Sequence, residues 1–431
     1  MNYQDEPHGV FFMIDNKSFY ASVESIQRGL NPLKSVLVVM SEQKNTNGGL
    51  VLSSSPSAKL LFNIKNVDRR YDLPDDPRLL VVPPRMNLYI NKNLLINKIF
   101  NRFVAETDLY PYSIDESILD LTHSWKLFGS SPLEVAQLIQ QTVRKETGLY
   151  TTIGIGENPI QAKLALDIYA KKSASLISEV NYETFGAKFW NINELTSFWS
   201  IGKRTAKRLK SLDINNLFDL AHTNPFRLKK ELGIIGTQLF ALAWGIDRSK
   251  LSEFLNVQNP SIGNSQVLPR DYIKGSEIEV VIKEIGQQVA ARVRHSGKVV
   301  GCVHLRIGFS LSNIEHNYSG FAHELKILPT DDNQLLIEQL LFIFHSFWQG
   351  EPVRHISVSY SQLSPKIGDQ LNLFENTDSQ LKKIVFNRLI DQIREQFGIE
   401  AIMYANSLLK GGTFIQRQSL VGGHNGGNSF E

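Results

Sequence analysis

One cysteine, Cys302, stands among 431 residues. It excludes an internal disulfide framework and any zinc cluster built on several thiolates, and it suits a reducing compartment. Long apolar runs are missing too. None approaches the roughly eighteen residues needed to span a bilayer, and the polar stretch 1–9 makes no signal peptide. A soluble, intracellular, cytoplasmic protein with no membrane partner is expected. Charge of one sign is also scarce, with a net +3 at pH 7. The placement is uneven, however: residues 196–310 hold 17 Lys and Arg against 9 Asp and Glu, a local +8 that leaves −5 elsewhere. The basic middle is a candidate polyanion surface. A hydrophobic content of 42% indicates globular structure throughout, enough for about three to four domains.

What is present centres on Tyr112-Ser113-Ile114-Asp115-Glu116-Ser117-Ile118-Leu119-Asp120-Leu121. Two adjacent carboxylates lie between short apolar runs, which predicts a strand, a tight bend and a strand with both acids at the turn. Such a pair repels itself unless a cation sits nearby, and hard oxygen ligands suit Mg²⁺. Near the N-terminus, Val10-Phe11-Phe12-Met13-Ile14 predicts a buried central strand that stops at Asp15. Two readings of Asp15 stand open. It, or Asn16, could cap the helix through Phe19, Val23 and Ile26; or it could share a metal with the hairpin acids, converging on them within a few ångströms, as in-line phosphoryl or nucleotidyl transfer requires.

Asp15-Asn16-Lys17-Ser18-Phe19-Tyr20-Ala21-Ser22-Val23-Glu24, followed by Ser113-Ile114-Asp115-Glu116-Ser117, resembles the two palm motifs of the Y-family, lesion-bypass DNA polymerases. The likeness extends through most of the chain and is closest to the UmuC-like branch, the catalytic-subunit type of DNA polymerase V. It implies an α/β (α+β) right hand: a ferredoxin-like palm at 1–30 and 80–177, small fingers at 31–79, a helix-hairpin-helix thumb at 178–255 and an α/β little finger at 256–368. A clamp-binding peptide at 369–375 and a C-terminal helix and tail at 376–431 follow, the tail expected to be disordered from its Gly-rich end at Gly422. The resemblance makes Asp15, Asp115 and Glu116 the catalytic metal-binding triad, with Asn16 beside them, for two Mg²⁺ ions. It makes Phe19 and Tyr20 nucleotide-binding residues, with Tyr20 a steric gate against ribonucleotides; the other reading of Tyr20 is a core aromatic beside Phe19. Lys59 and Lys171 fall where basic residues meet the incoming triphosphate, although Pro56 and Ser57 replace the usual larger and acidic residues before Lys59. A lysine such as Lys171 at a helix C-terminus also complements the helix dipole.

Elsewhere the pattern is read directly. Strands are predicted at Val36–Met40 and Gly49–Leu52, and helices from Pro83 to Phe103 and from Leu133 to Thr147. The glycines of Thr151-Thr152-Ile153-Gly154-Ile155-Gly156 are taken as packing residues. Residues 173–195 are taken as a polar connection. Trp199 to Leu209 suggests a helix-hairpin-helix: Gly202 allows close backbone approach, free helix amides face a phosphate, and Lys203, Arg204 and Lys207 add charge. Beyond 261, alternation of Val303, Leu305 and Ile307 with Cys302, His304 and Arg306 predicts a strand with one free face. By resemblance that face, with Arg306, meets DNA. His295, His304, His316 and His323 show no ligand spacing. Gln370, Leu371, Leu373 and Phe374 resemble the peptide that docks bacterial polymerases on the sliding clamp; alternatively the cluster caps the sheet.

The implied activity is low-fidelity template-directed DNA synthesis on primer-template DNA with deoxynucleoside triphosphates, in damage tolerance. An accessory dimer and a recombinase filament are possible further partners by the same resemblance. A nucleotidyl cyclase, which would not need the basic thumb, and a non-enzymatic DNA-binding scaffold, which would not need the three acids, are the alternatives.

Overall fold

A computed structural model describes residues 1–41, 49–253, 260–310, 319–368, 371 and 376–426. Gln370, Leu373, Phe374 and His316 lie outside these residues. The chain opens with β1 (Phe11–Asn16), whose apolar run is buried. α1 (Phe19–Gln27) follows, with Ser18 as its left-handed N-cap residue. Neither Asp15 nor Asn16 caps the helix, so their polar groups are left for other work.

β2 (Leu37–Ser41), β3 (Leu50–Ser54), α2 (Pro56–Phe62) and β4 (Leu80–Val82) form a small unit whose sheet has the order β3-β2-β4. Ser55 accepts a hydrogen bond from the Ala58 amide and Pro56 opens α2, a favoured helix start. The chain then returns through α3 (Met86–Phe100), β5 (Leu109–Pro111), β6 (Glu116–Asp120), α4 (Pro132–Thr147), β7 (Thr151–Gly156), α5 (Pro159–Leu164) and β8 (Ile177–Glu179). The first sheet has the order β5-β6-β1-β7-β8. β1 is central and antiparallel to both neighbours, while β7 and β8 run parallel. Phe12 and Ile14 face Ile96, Ile99, Val135 and Ile139 of α3 and α4; Met13 and Ile118 face Ala162 and Leu166 on the other side. A Cβ on Gly154 would stand 2.1 Å from the Ala162 carbonyl oxygen, so this glycine permits close packing of α5 on β7.

A helical unit comes next: α6 (Tyr182–Phe189), α7 (Lys203–Lys210), α8 (Leu217–His222), α9 (Pro225–Leu232) and α10 (Ile234–Ala243). The expectation of a polar connection over 173–195 is corrected by β8 and α6. Tyr182, Phe185 and Phe189 recur at helical spacing and are buried, but eight residues with polar neighbours give too few turns for that period to stand out.

β9 (Ile262–Tyr272), α11 (Gly275–His295), β10 (Lys298–Phe309), β11 (Gly320–Thr330), α12 (Asn333–Phe347), β12 (Val353–Ser361) and the short β13 (Ser364–Pro365) build the second large sheet, ordered β11-β10-β12-β9 with β13 on β10. Val303, Leu305 and Ile307 face the core made with α11 and α12. Arg306 is exposed on the other side, whereas Cys302, expected on that free side, is 1% exposed.

The chain closes with α13 (Thr377–Phe397), α14 (Phe414–Gln418), β14 (Leu420–Val421) and β15 (His424–Asn425). This corrects the expectation of a disordered tail for the described residues to 426. Gly422 and Gly423 have φ of 60° and 84° and form the two-residue turn between β14 and β15. Left-handed turns of this kind select glycine, so the composition that suggests disorder serves a hairpin. Among the described residues no helix is long and apolar enough to cross a membrane.

Candidate active site

β1 and β6 place Asp15 directly opposite Glu116 in register, and Asp115 lies in the turn just before β6. Ser113 organises that turn. Its Oγ donates to Asp115 Oδ1 at 2.8 Å and accepts from the amides of Asp115 and Glu116 at 3.3 and 3.0 Å. Asn16 braces the turn: its backbone amide and its side-chain Nδ2 donate to the Asp115 carbonyl at 2.9 and 3.1 Å. The Asn16 Oδ1 is buried with no hydrogen-bond partner. Asn93 of α3 adds a bond to the Ile114 carbonyl at 2.8 Å.

Two ammonium groups lie among the acids. Lys171 Nζ is 3.3 Å from Asp15 Oδ2, 3.7 Å from Glu116 Oε1 and 2.8 Å from Asp167 Oδ1. Lys163 Nζ is 2.7 Å from Glu116 Oε1 and 3.2 Å from Asp167 Oδ2. Neither Lys163 nor Asp167 is among the residues expected at the site. Their signal was the four-residue spacing Lys163, Asp167, Lys171, which a helical turn stacks on one face; Ala165–Tyr169 forms a π-helical turn there.

The three acids do not close as tightly as the sequence suggested. Among the described residues, the only trio of acid, histidine or cysteine ligand atoms lying within 4.8 Å of one another is Cys302, His304 and Glu324. Like charges repel, and the lysines stand between the carboxylates. The other trio is accounted for by hydrogen bonding, since His304 meets Ser361 Oγ at 2.6 Å and Glu324 at 3.2 Å.

Burial pushes the Asp15 carboxyl up to about 6; Lys171 opposes this, while Asp115 and Glu116 reinforce it. Asp115 is raised as well, first by burial and then by Glu116, against the Ser113 hydrogen bond. Burial disfavours the Lys171 ammonium, but Asp15, Asp167 and Glu116 outweigh it and hold the lysine above its ordinary value. The site is thus short of positive charge for its carboxylates. An all-oxygen, anionic, partly buried donor set of this kind fits a hard divalent cation.

Tyr20 is half-buried on α1 and stacks on Tyr89, with centroids 4.4 Å apart and planes at 15°. Burial raises its phenol and the Asp115 charge adds to this, which puts the ring at the edge of the acidic site. Phe19, 2% exposed, belongs to the core. Lys59 Nζ reaches Ser18 Oγ at 3.3 Å; burial lowers its ammonium while Asp15 pulls it back up. The small sheet unit therefore contributes a cation to the same place. Gly202, Lys203, Arg204 and Lys207 are exposed at the start and outer face of α7, with Ala206 and Leu209 turned inward. A Cβ at Gly202 would meet nothing within 4 Å, leaving room for an outside strand. Leu371, half-buried, is the one member of the clamp-like cluster among the described residues.

The impB/mucB/samB family profile matches residues 14–167, and that of its C-terminal domain matches 259–373. UvrX of Bacillus subtilis (strain 168), named for UV-damage repair, is 38% identical over 98% of this chain and 99% of its own. The chain belongs to the impB/mucB/samB family, the Y-family of lesion-bypass DNA polymerases. DNA polymerase IV 2 of the same organism is 36% identical over 96% of this chain and 98% of its own. A Y-family polymerase chimera of Dbh and Dpo4 shares the fold, with a TM-score of 0.67 at 19% identity over 83% of this chain and all of that one. Membership makes the protein a DNA-directed DNA polymerase, with a DNA template and nucleotides as substrates and a divalent metal in its chemistry. The cyclase and the non-enzymatic scaffold are not favoured.

Proposed function

We propose that this polymerase extends primers past damaged template bases with low fidelity, using two Mg²⁺ ions held by Asp15, Asp115 and Glu116. The observation that carries this is the charge-deficient carboxylate group where β1 meets β6, with Asp15 raised to about 6 by burial. Bound cations would favour ionisation of the primer 3′-hydroxyl and neutralise charge developing on the triphosphate. The chain's own residues do the rest. Ser113 and Asn16 hold the acid-bearing turn still. Lys171 and Lys59 bring positive charge to the triphosphate, and Tyr20, backed by Tyr89, fills the space a ribose 2′-hydroxyl would need.

The first sheet serves as palm, the small sheet as fingers, α6–α10 as thumb and the second large sheet as little finger. Gly202, Lys203, Arg204 and Lys207 contact DNA phosphates, and Arg306 adds charge on the open face of the little finger. Gln370, Leu371, Leu373 and Phe374 dock on a sliding clamp; an accessory dimer and a recombinase filament are further partners drawn from the UmuC-like branch. The cytoplasm is the proposed site of action. Primer extension on a template with one defined lesion tests the core of this reading: wild type inserts opposite and beyond the lesion. Failure on every lesion and on undamaged template alike would overturn it. For Tyr20→Ala, ribonucleotide insertion is expected with deoxynucleotide insertion retained; unchanged discrimination returns the ring to a packing role.

A further inference from the structure

The segment after α13 crosses between two units of the molecule, and its two ends are seated on different units. At the near end it is built into the little finger. Thr413 donates to buried Glu284 from its amide at 3.1 Å and from its hydroxyl at 3.0 Å, and Tyr272 donates to the Gly411 carbonyl at 2.9 Å. Gly411 has φ +99°, and a Cβ there would stand 2.6 Å from Glu277 Cβ. At the far end the β14–β15 hairpin meets the fingers and the palm. His424 Nδ1 meets Ser41 Oγ of the fingers at 3.0 Å, and the Asn87 amide of the palm donates to the Gly426 carbonyl at 2.9 Å. Between the ends, Arg417 is buried with Glu284 Oε2 at 3.8 Å, and none of its guanidinium nitrogens has a hydrogen-bond partner. A buried cation left in this state is poorly compensated by its one carboxylate neighbour.

Under this crossing lies a cavity of about 1460 Å³, lined from the fingers by Leu50 and Arg69 and from the little finger and α13 by Gln266, Arg292 and Arg388. Cationic side chains outnumber carboxylates in its lining by seven to three. An electropositive space of this size favours a polyanion, and the hairpin stands across it.

We propose that residues 399–426 form an intramolecular strap, hinged at the little finger, whose β14–β15 hairpin lets go of Ser41 and Asn87 when a single nucleic-acid strand occupies the cavity. This rests on the division into fingers, palm and little finger. The test is a full-length variant with Ser41→Cys and His424→Cys in a Cys302→Ser background, joined by a short bis-maleimide. In DNA-free protein the two thiols are joined readily. Prior binding of a primer-template with a single-stranded template overhang slows the joining. The joined protein binds that substrate about tenfold more weakly, since its competent open state is removed, and binds blunt duplex as before. Failure to join in a folded variant, or equal loss on both substrates, overturns the strap. Hydrogen exchange of the Asn87 amide in wild type is the second measurement: it is protected in free protein and exposed with overhang DNA. Protection that persists with DNA bound also overturns it. Wild-type primer extension separates the two ideas, because a strap that fails leaves extension intact, whereas loss of extension strikes at the polymerase reading.

Discussion

Asp15, partly buried, and Glu24, fully buried, are carboxylates on one strand-helix unit, yet their surroundings are opposite. Burial alone would raise the Glu24 carboxyl, but hydrogen bonds from Arg85, Arg28 and Tyr89 outweigh it and hold the group below its ordinary range. Arg85 contributes two of these, at 3.0 and 2.8 Å, and Tyr89 one at 2.8 Å. Asp15 shares one lysine with two other acids and remains raised. A carboxylate whose partners are complete holds structure together; one whose partners fall short is available to a cation. Tyr89 joins the two centres, because the phenol that donates to Glu24 carries the ring on which Tyr20 stacks.

The largest effect is expected from breaking the incomplete centre. Asp115→Ala or Glu116→Ala should cut primer extension on the order of a thousandfold, about 4 kcal/mol of transition-state stabilisation, with duplex affinity kept in a gel-shift titration. Near-normal extension by either variant would erase the distinction between the two centres.

Glu24→Ala tests the complete centre. It strands Arg85 and the Tyr89 hydroxyl, so denaturant unfolding should show a loss of about 3 kcal/mol. An equal loss from Asp115→Ala would mean that both centres are structural.

Asp15→Asn should act in the opposite direction. The Asp15 carboxyl rises from 3.8 to about 6 on folding, so the folded state holds its proton longer than the unfolded chain. Cation-free protein therefore loses stability through this group as pH rises from about 4 to about 6, on the order of 3 kcal/mol, and does not regain it above. Thermal melts in chelator at pH 5 and 7.5 should show this slope in wild type and a flatter, higher curve in Asp15→Asn. Added Mg²⁺ should stabilise wild type more than the variant.

The smallest effect concerns Lys171, which lies 36% exposed between Asp15 and Asp167. Lys171→Ala should raise KM for the incoming nucleotide by about tenfold, as expected for one charged hydrogen bond, with folding stability little changed. A kcat loss at constant KM would instead place the lysine with the reacting groups.

Local pattern carried much of this. The apolar run before Asp15 reads as a buried strand, the alternation around Leu305 as a half-buried one, and the acid pair between short apolar runs as part of a turn. The motifs around Asp15 and Asp115 also made the family legible. Lys163 and Asp167 escaped because an Ala-Lys-Leu-Ala helix has the same local pattern whether its lysine faces solvent or Glu116. The Glu24 centre escaped for the same reason: Arg85 and Tyr89 lie more than sixty residues away in sequence, and nothing local pairs them. The Gly-rich terminus suggested disorder because composition counts glycines without asking which ones occupy a hairpin turn.

By itself, then, the sequence determined strands β1, β2, β3 and β10, helices α1, α3 and α4, the acid-bearing turn and the family, since periodicity and turn chemistry act over a few residues. Tertiary structure alone decided which carboxylate is compensated and which is not, and where the C-terminal segment is seated. Electrostatic energy depends on distance and burial in space, and those are set only when β1, β6 and α5 meet.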